Sequence, residues 1–281
     1  MAKTDALSIY ISDDTTKDKL METYSEVIDM VQTSTVSTSI KNQNLSGDPQ
    51  AGSVEARRLA TSVSQAYGTA RAAGAGDKIS NNGVTINLST DKEIVEEFEM
   101  KDIELYGIPS LLEKRKVNQA KAMARELDRA FFTEAVAEGT SVDLSAYTAI
   151  EDSLEALIQS VETVSNDNVD GVDRDMIVLT VTPAVYARLA GYIESVPNPI
   201  DGMANMETFH KVRVFVTHRQ TVDAICMVEG AVAQPVVVKP YEAEKIPLSN
   251  AYAVSLFYSF GTQAVMKDLI MYGEITNYVS A

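Results

Sequence analysis

Residues 94–135, IVEEFEMKDIELYGIPSLLEKRKVNQAKAMARELDRAFFTEA, decide how the rest of the chain is read. Pro109 stands near the start of a helical pattern, where a missing N–H leaves no bond unmade. Gly139 stands just past its end, where a left-handed cap is expected. Between them Leu112, Ala120, Met123, Leu127, Ala130, Phe131 and Ala135 recur at intervals of three and four. The pattern predicts a helix over 108–138, a rod of about 45 Å at 1.5 Å per residue. Helices of globular proteins average about eleven or twelve residues. So long a rod in a chain of 281 residues reads as a mechanical spine.

Downstream, Ala146–Val164 carries Tyr147, Ile150, Leu154, Leu157, Ile158, Val161 and Val164 on one helical face. Met176–Val181 is a short continuous apolar run, the mark of a buried strand. Thr182 then reads as an N-cap and Pro183 as the first position of a helix over Ala184–Tyr192. Strands are expected over Val212–Thr217, Ala224–Val228 and Val236–Val238. Tyr252–Tyr258 and Ala264–Tyr272 read as a closing pair joined by a turn at Gly261. These elements predict an α+β chain, with an α/β domain over 140–235 and returning strands over 236–281 that complete a domain built on the 105–139 helix.

Upstream, Thr16–Val31 reads as an amphipathic helix, and QTSTVSTSIKNQNLSGDPQAGS at 32–53 is too polar to form a core. Residues 1–53 are therefore expected to be an arm lying on something else. Residues 54–104 read as a long two-stranded excursion, with a turn at Ser80–Gly83 and strand alternation over Val84–Leu88; the plainer reading is a surface loop. Its charge is divided. Arg57, Arg58, Arg71 and Lys78 leave 54–79 at +2, whereas Glu93, Glu96, Glu97, Glu99 and their neighbours leave 91–104 at −5. The plainer reading of each run is a solvated face; the alternative is that each limb meets a complementary patch on another copy of the chain, where charge sets register more than affinity.

Chemistry is hard to find. The two histidines, His210 and His218, would lie about 26 Å apart on an extended strand, too far for one metal ion. Cys226, the single cysteine, sits in the apolar run AICMV and reads as a small buried hydrophobe. Asp13–Asp14 and Glu96–Glu97 are adjacent pairs whose side chains diverge, which does not suit acid–base work. Gly74–Ala75–Gly76 lacks the lysine and the following helix of a phosphate loop, and no esterase elbow, zinc-protease or dinucleotide fingerprint is present. No cofactor, metal or enzymatic activity is expected. The net charge of −16 argues against a protein that grips nucleic acid, but it is compatible with a container. Without an apolar run of membrane-spanning length or a signal-like start, the chain is expected to be soluble and made in a cytoplasm.

Three blocks, in order, resemble tailed-bacteriophage major capsid proteins of the Hong Kong 97 type. Residues 94–135 look like the end of that family's extended loop entering its spine helix, with Asp128 where an acidic residue is often seen. DMIVLTVTPAVYARLAGYI at 175–193 is similar to the strand and Pro-started helix of its axial domain, and YAVSLFYSFGTQAVMKDLIMYGE at 252–274 to the strands returning to its peripheral domain. The resemblance implies a Hong Kong 97-like fold: an N-terminal arm (1–53), an extended loop (54–104), a peripheral spine helix (105–139) and an axial domain (140–235). It further implies hexamers and pentamers closing an icosahedral virion shell around double-stranded DNA. Assembly in the bacterial host cytoplasm would use a portal and a separate scaffolding protein. An encapsulin-like compartment shares the fold and is the nearest alternative; a soluble enzyme is a more distant one. Lys78 and Lys92 lie where some members cross-link, but no partner is identified for them, and cross-linking is not expected.

Overall fold

The computed structural model describes residues 26–58, 67, 83–99, 108–166, 168–195, 208–239, 242–246 and 251–275. In chain order these form α1 (26–34), α2 (Ser37–Ile40), β1 (Leu45–Ser46), β2 (Ser53–Arg57), β3 (Gly83–Asn87), β4 (Thr90–Glu99) and α3 (Ile108–Glu138). Then come β5 (Thr140–Ser141), α4 (Ile150–Glu162), β6 (Ile177–Val181), α5 (Pro183–Ser195), β7 (Thr208–Phe209), β8 (Val212–Val216) and β9 (Ala224–Val228). The last are β10 (Val232–Ala233), β11 (Val236–Val238), β12 (Glu242–Lys245), β13 (Ala251–Phe260), β14 (Gln263–Ala264) and β15 (Ile270–Gly273).

The long helix has the bounds its periodicity gives, 31 residues from Ile108 to Glu138. It serves two cores. Its middle, Ala120, Met123 and Leu127, packs with Val27 and Val31 of α1 and with Leu256, Tyr258 and Phe260 of β13. Its C-terminal part, Phe131, Phe132 and Ala135, enters a larger core shared with α4, β6, β9 and β15. Phe131 and Phe132 meet edge to face at 5.4 Å, a favoured aromatic geometry.

The larger core surrounds a six-stranded sheet of order β5-β15-β9-β6-β8-β7, in which β6 and β8 run parallel. Every residue of β6 and of β9 is buried, as a strand covered on both faces requires. The smaller core lies under a four-stranded sheet. There β13 pairs along its whole length with β4, from Ala251 opposite Glu99 to Phe260 opposite Thr90. Its other edge takes β11 and then β12.

The sequence expectation needs correction at several points. The helix expected from Ala146 begins at Ile150. The expected closing pair does not form. Ala251–Phe260 pairs with β4, while Ile270–Gly273 crosses to the other sheet and pairs with β9 and β5. The apolar content of 264–272 is buried either way, so composition cannot choose between the two partners. Thr182 precedes α5 as expected, but its hydroxyl makes no hydrogen bond; its carbonyl accepts from Tyr186 N–H at 2.9 Å. The described part of the arm, 26–53, lies on its own chain. Val27 is fully buried, and Lys116 of α3 pairs with Glu26. Residues 16–25 of the expected helix and the turn at 80–82 lie outside the described residues.

Two glycines matter through close approach. Gly139 closes α3 without a left-handed turn. A Cβ there would stand 2.5 Å from the Ala135 carbonyl oxygen and 2.9 Å from Ile270 Cγ2, so β15 could not come so near the helix end. At Gly261 a Cβ would stand 2.2 Å from the Asn87 carbonyl oxygen, where the end of β3 abuts the turn after β13. Gly261→Ala should therefore lower stability by about 1–3 kcal/mol, the usual range for overpacking. Urea unfolding midpoints of the two proteins check this.

Candidate assembly surface

The described chain is knitted together at one side chain. Asp128 of α3 is fully buried. Its carboxylate accepts hydrogen bonds from Val36 N–H at 3.1 Å, Ser37 N–H at 3.0 Å and the Ser37 hydroxyl at 2.6 Å. The Arg219 guanidinium, in the loop after β8, adds a fourth at 2.5 Å. The arm, the long helix and the six-stranded unit thus meet at one carboxylate. Arg219 also donates to the carbonyls of Ser34 at 3.0 Å and Ala124 at 3.4 Å. Burial pushes the nearby Lys41 amine below its ordinary value, and attraction to Asp128 partly offsets that.

The two ends of the expected excursion are held side by side in a three-stranded sheet. β2 pairs antiparallel with β3, from Ser53 opposite Asn87 to Arg57 opposite Gly83, and with β1 on its other side. Val54, Ala56 and Ile86 project into the large core. The two predicted arginines then part company. Arg57 is exposed. Arg58, on the parity of the buried Val54 and Ala56, turns inward to an ion pair with Asp268 at 2.5 Å, and Asp268 also accepts from Asn166. Residues 59–66 and 68–82, with Arg71 and Lys78 among them, lie outside the described residues.

The acidic run is not the opposite limb of the hairpin. Residues 90–99 leave it after Leu88 and Ser89 and become a strand on β13. Glu93 and Glu97 are exposed, opposite Phe257 and Ala253, and the exposed Val95 lies between them. Glu96 lies on the helix-facing side, 3.6 Å from Arg115, and Glu99 stands opposite Ala251 in register. Lys92 pairs with Glu126 at 2.8 Å. Burial raises the Glu126 carboxyl, but bonds from Lys92 and Tyr258 outweigh that and hold it below its ordinary value. Charge counted along the sequence carried no information about pairing; what moves this strand onto β13 is the apolar face that Ile94 shares with the core below.

Among the described residues no group of three or more histidine, cysteine or acidic side chains could hold a metal, and no helix is long and apolar enough to cross a membrane. Burial pushes the Cys226 thiol upward, which keeps it protonated and unreactive. The densest ionic cluster is structural. Arg174 bridges Glu155 and Glu162, and His210 Nδ1, its ring stacked on Phe209, lies 2.8 Å from Glu155. The Arg174 hydrogen bonds, opposed by burial and aided by His210, hold the Glu155 carboxyl down to about 2.

Comparison with known proteins fits this picture. The sequence matches no protein-family model and no curated protein. Among solved structures, the capsid of Cyanophage P-SCSP1u is 11% identical with a TM-score of 0.60, over 88% of this chain and 89% of that one. A virus-like particle from Pyrococcus furiosus is 12% identical with a TM-score of 0.56, over 89% and 96%. A chain of Mycobacterium phage Che8 is 16% identical with a TM-score of 0.54, over 79% and 84%. The fold is therefore the α+β fold of capsid-forming chains, extending over most of the described molecule.

Two outcomes are expected. Asp128→Asn should cost about 3–5 kcal/mol, because it leaves the Arg219 charge unpaired beside two N–H donors, whereas Ser37→Ala should cost about 1 kcal/mol. Urea denaturation of both variants measures this. Glu155 has its carboxyl lowered from 4.5 to about 2, so its contribution is full above pH 4.5 and disappears as pH falls toward 2. Arg174→Gln should therefore be less stable than wild type at neutral pH, and the difference should close through that window in a pH series of thermal melts.

Proposed function

We propose that this chain is the major capsid subunit of a tailed bacteriophage, closing in hexamers and pentamers into an icosahedral virion shell around double-stranded DNA. The observation that carries the reading is the capsid fold itself, matched over 88% of the chain and 89% of a phage capsid subunit. In this reading α3 is the spine of a peripheral domain, and the six-stranded unit is the axial domain. Assembly takes place in the bacterial host cytoplasm with a portal and a separate scaffolding protein. The role is structural, not catalytic.

The excursion would lie across a neighbouring copy. Arg57, Arg71 and Lys78 are the cations that would meet acidic surface, and Glu93, Glu97 and Glu99 on β4 are the acids that would receive them. Arg58 and Glu96 take no part, since each is engaged within the chain. A two-stranded ribbon is marginal by itself in water, so a loop rooted this firmly gains from surface it covers elsewhere. The fold also matches a virus-like particle from Pyrococcus furiosus, which favours an encapsulin-like shell as the second reading. The two differ in content: particles purified from the native source hold DNA in the first case and protein cargo in the second.

Removal of residues 72–81 should leave a folded subunit, seen by circular dichroism and a cooperative melt, that no longer forms shells by size-exclusion chromatography and negative-stain microscopy. Shells at normal yield from that deletion would overturn the reading. Arg57→Glu should slow assembly in a way that fades at high salt, because exposed pairs are screened over about 10 Å at 0.1 M. Arg58→Glu should lower subunit stability instead.

A further inference from the structure

We propose that Lys121, Arg125 and Arg129, on the open side of α3, form the surface that touches the DNA inside the shell, binding its phosphates without reading sequence. The inference rests on the capsid reading above but concerns residues that reading does not use.

In a chain of net charge −16, these three cations have no acid paired with them among the described residues. All three are exposed, and no hydrogen bond or ion pair joins their side chains to any described residue. The acids around them are already engaged: Glu126 by Lys92 and Tyr258, Glu134 by the Ala264 N–H at 3.1 Å, Glu138 by Lys267, and Asp128 in its buried junction. The helix therefore presents a row of cations, each four residues from the next.

The row has a defined geometry. Steps of four residues are about 6 Å along a helix axis and about 40° around it, so the cations stand in a slightly tilted line. Successive phosphates advance about 3.4 Å per strand along a duplex axis while winding around it, so neighbouring phosphates lie at a through-space separation of the same order as the cation spacing. Arg125 and Arg129 also overlook a groove of about 710 Å³ lined by Lys92, Thr90, Thr133 and Thr262 and by two carboxylates already engaged within the chain, Glu126 and Glu134. Arginine forks and threonine hydroxyls are the donors that commonly contact phosphate oxygens.

Its position in the fold is equally definite. Ala120, Met123 and Leu127 bury one side of α3 against β13, and the cations occupy the other side. The far face of the same sheet carries exposed Asp91, Glu93 and Glu97. The unpaired cations of α3 and the exposed acids of β4 thus lie on opposite faces of one helix-on-sheet slab, and the carboxylates on the cation side, Glu126 and Glu134, are engaged within the chain. A polyanion held on one side of such a slab lowers the energy only if the basic face is turned toward it. An acidic protein would be drawn to the same face, but it offers no regular charge spacing along a straight rod.

The test is fluorescence anisotropy of a labelled DNA duplex titrated with the full chain across salt concentrations. Three phosphate contacts predict a log–log salt slope of about −2.7, an affinity loss of about 40-fold between about 50 and 200 mM. The variant Lys121→Gln/Arg125→Gln/Arg129→Gln should lose binding at low salt by a similar factor, with a slope near zero. Lys211→Gln/Lys239→Gln, which removes two exposed cations elsewhere, should leave affinity and slope unchanged. A wild-type protein that ignores the duplex at low salt would overturn the inference, as would a triple variant with an undiminished slope. Displacement of the duplex by polyglutamate more readily than by unlabelled duplex would also overturn it and assign the face to an acidic protein. Shell formation is scored separately by negative-stain microscopy. Shells from both proteins with no DNA binding sink this inference alone, whereas absence of shells sinks the capsid reading.

Discussion

A buried carboxylate must be answered. Asp128 has no exposed surface, and a carboxylate taken out of water without partners costs more than a small domain's whole stability. Its two oxygens offer about four lone-pair sites. Four donors fill them: two backbone N–H groups, one hydroxyl and one guanidinium. Because those donors come from the arm and from the loop after β8, satisfying one side chain fixes three parts of the chain relative to each other. The hydrophobic cores on either side are non-directional and would tolerate small sliding of α3; the carboxylate would not. It sits between Leu127, the last buried residue that α3 gives to the smaller core, and Phe131, the first it gives to the larger. That position makes the helix a beam shared by two cores.

Much of this architecture was legible in the residues, and the reason is physical. A 31-residue helix has enough repeats for its period to be unmistakable, and its first turn is marked by Pro109. The strand Ile177–Val181 was legible because a continuous apolar run leaves no face for water. What was not legible was pairing. Ile270–Gly273 looks the same whether it closes a hairpin with β13 or crosses to β9, since strand composition reports burial and not the partner. Gly139 illustrates a similar limit: its position after a helix suggested a left-handed cap, while its actual use is the approach of Ile270.

The candidate surface was legible in part, and strand parity explains the rest. Val54, Ala56 and Arg58 share one face, and the apolar character of the first two was a signal that Arg58 would be drawn inward. Glu96 shares the parity of Ile94, whose side packs on the core, while Glu93, Val95 and Glu97 share the other. Treating each charged limb as a uniform patch concealed this sorting. Arg219 was missed altogether: a lone arginine in a loop after a strand has no sequence signature, and only the fold brings it to Asp128.

In the proposed capsid reading, the placement of charge bears on how so acidic a chain would serve as a container. Binding tight enough to immobilise a packed polymer would obstruct both its entry and its exit, and a uniformly acidic wall would hold it at a distance by repulsion alone. Three cations per copy on one face of a net-acidic chain, unpaired among the described residues, would lie between these limits. Each contact is screened and weak by itself, so the lining can neutralise neighbouring phosphates while letting them slide. The acids on the far side of the sheet are then left free for contacts between copies, where complementarity selects register. A slab with its two charges separated by a layer of apolar packing can therefore serve its neighbours on one face and its contents on the other, without either interaction competing for the same side chains.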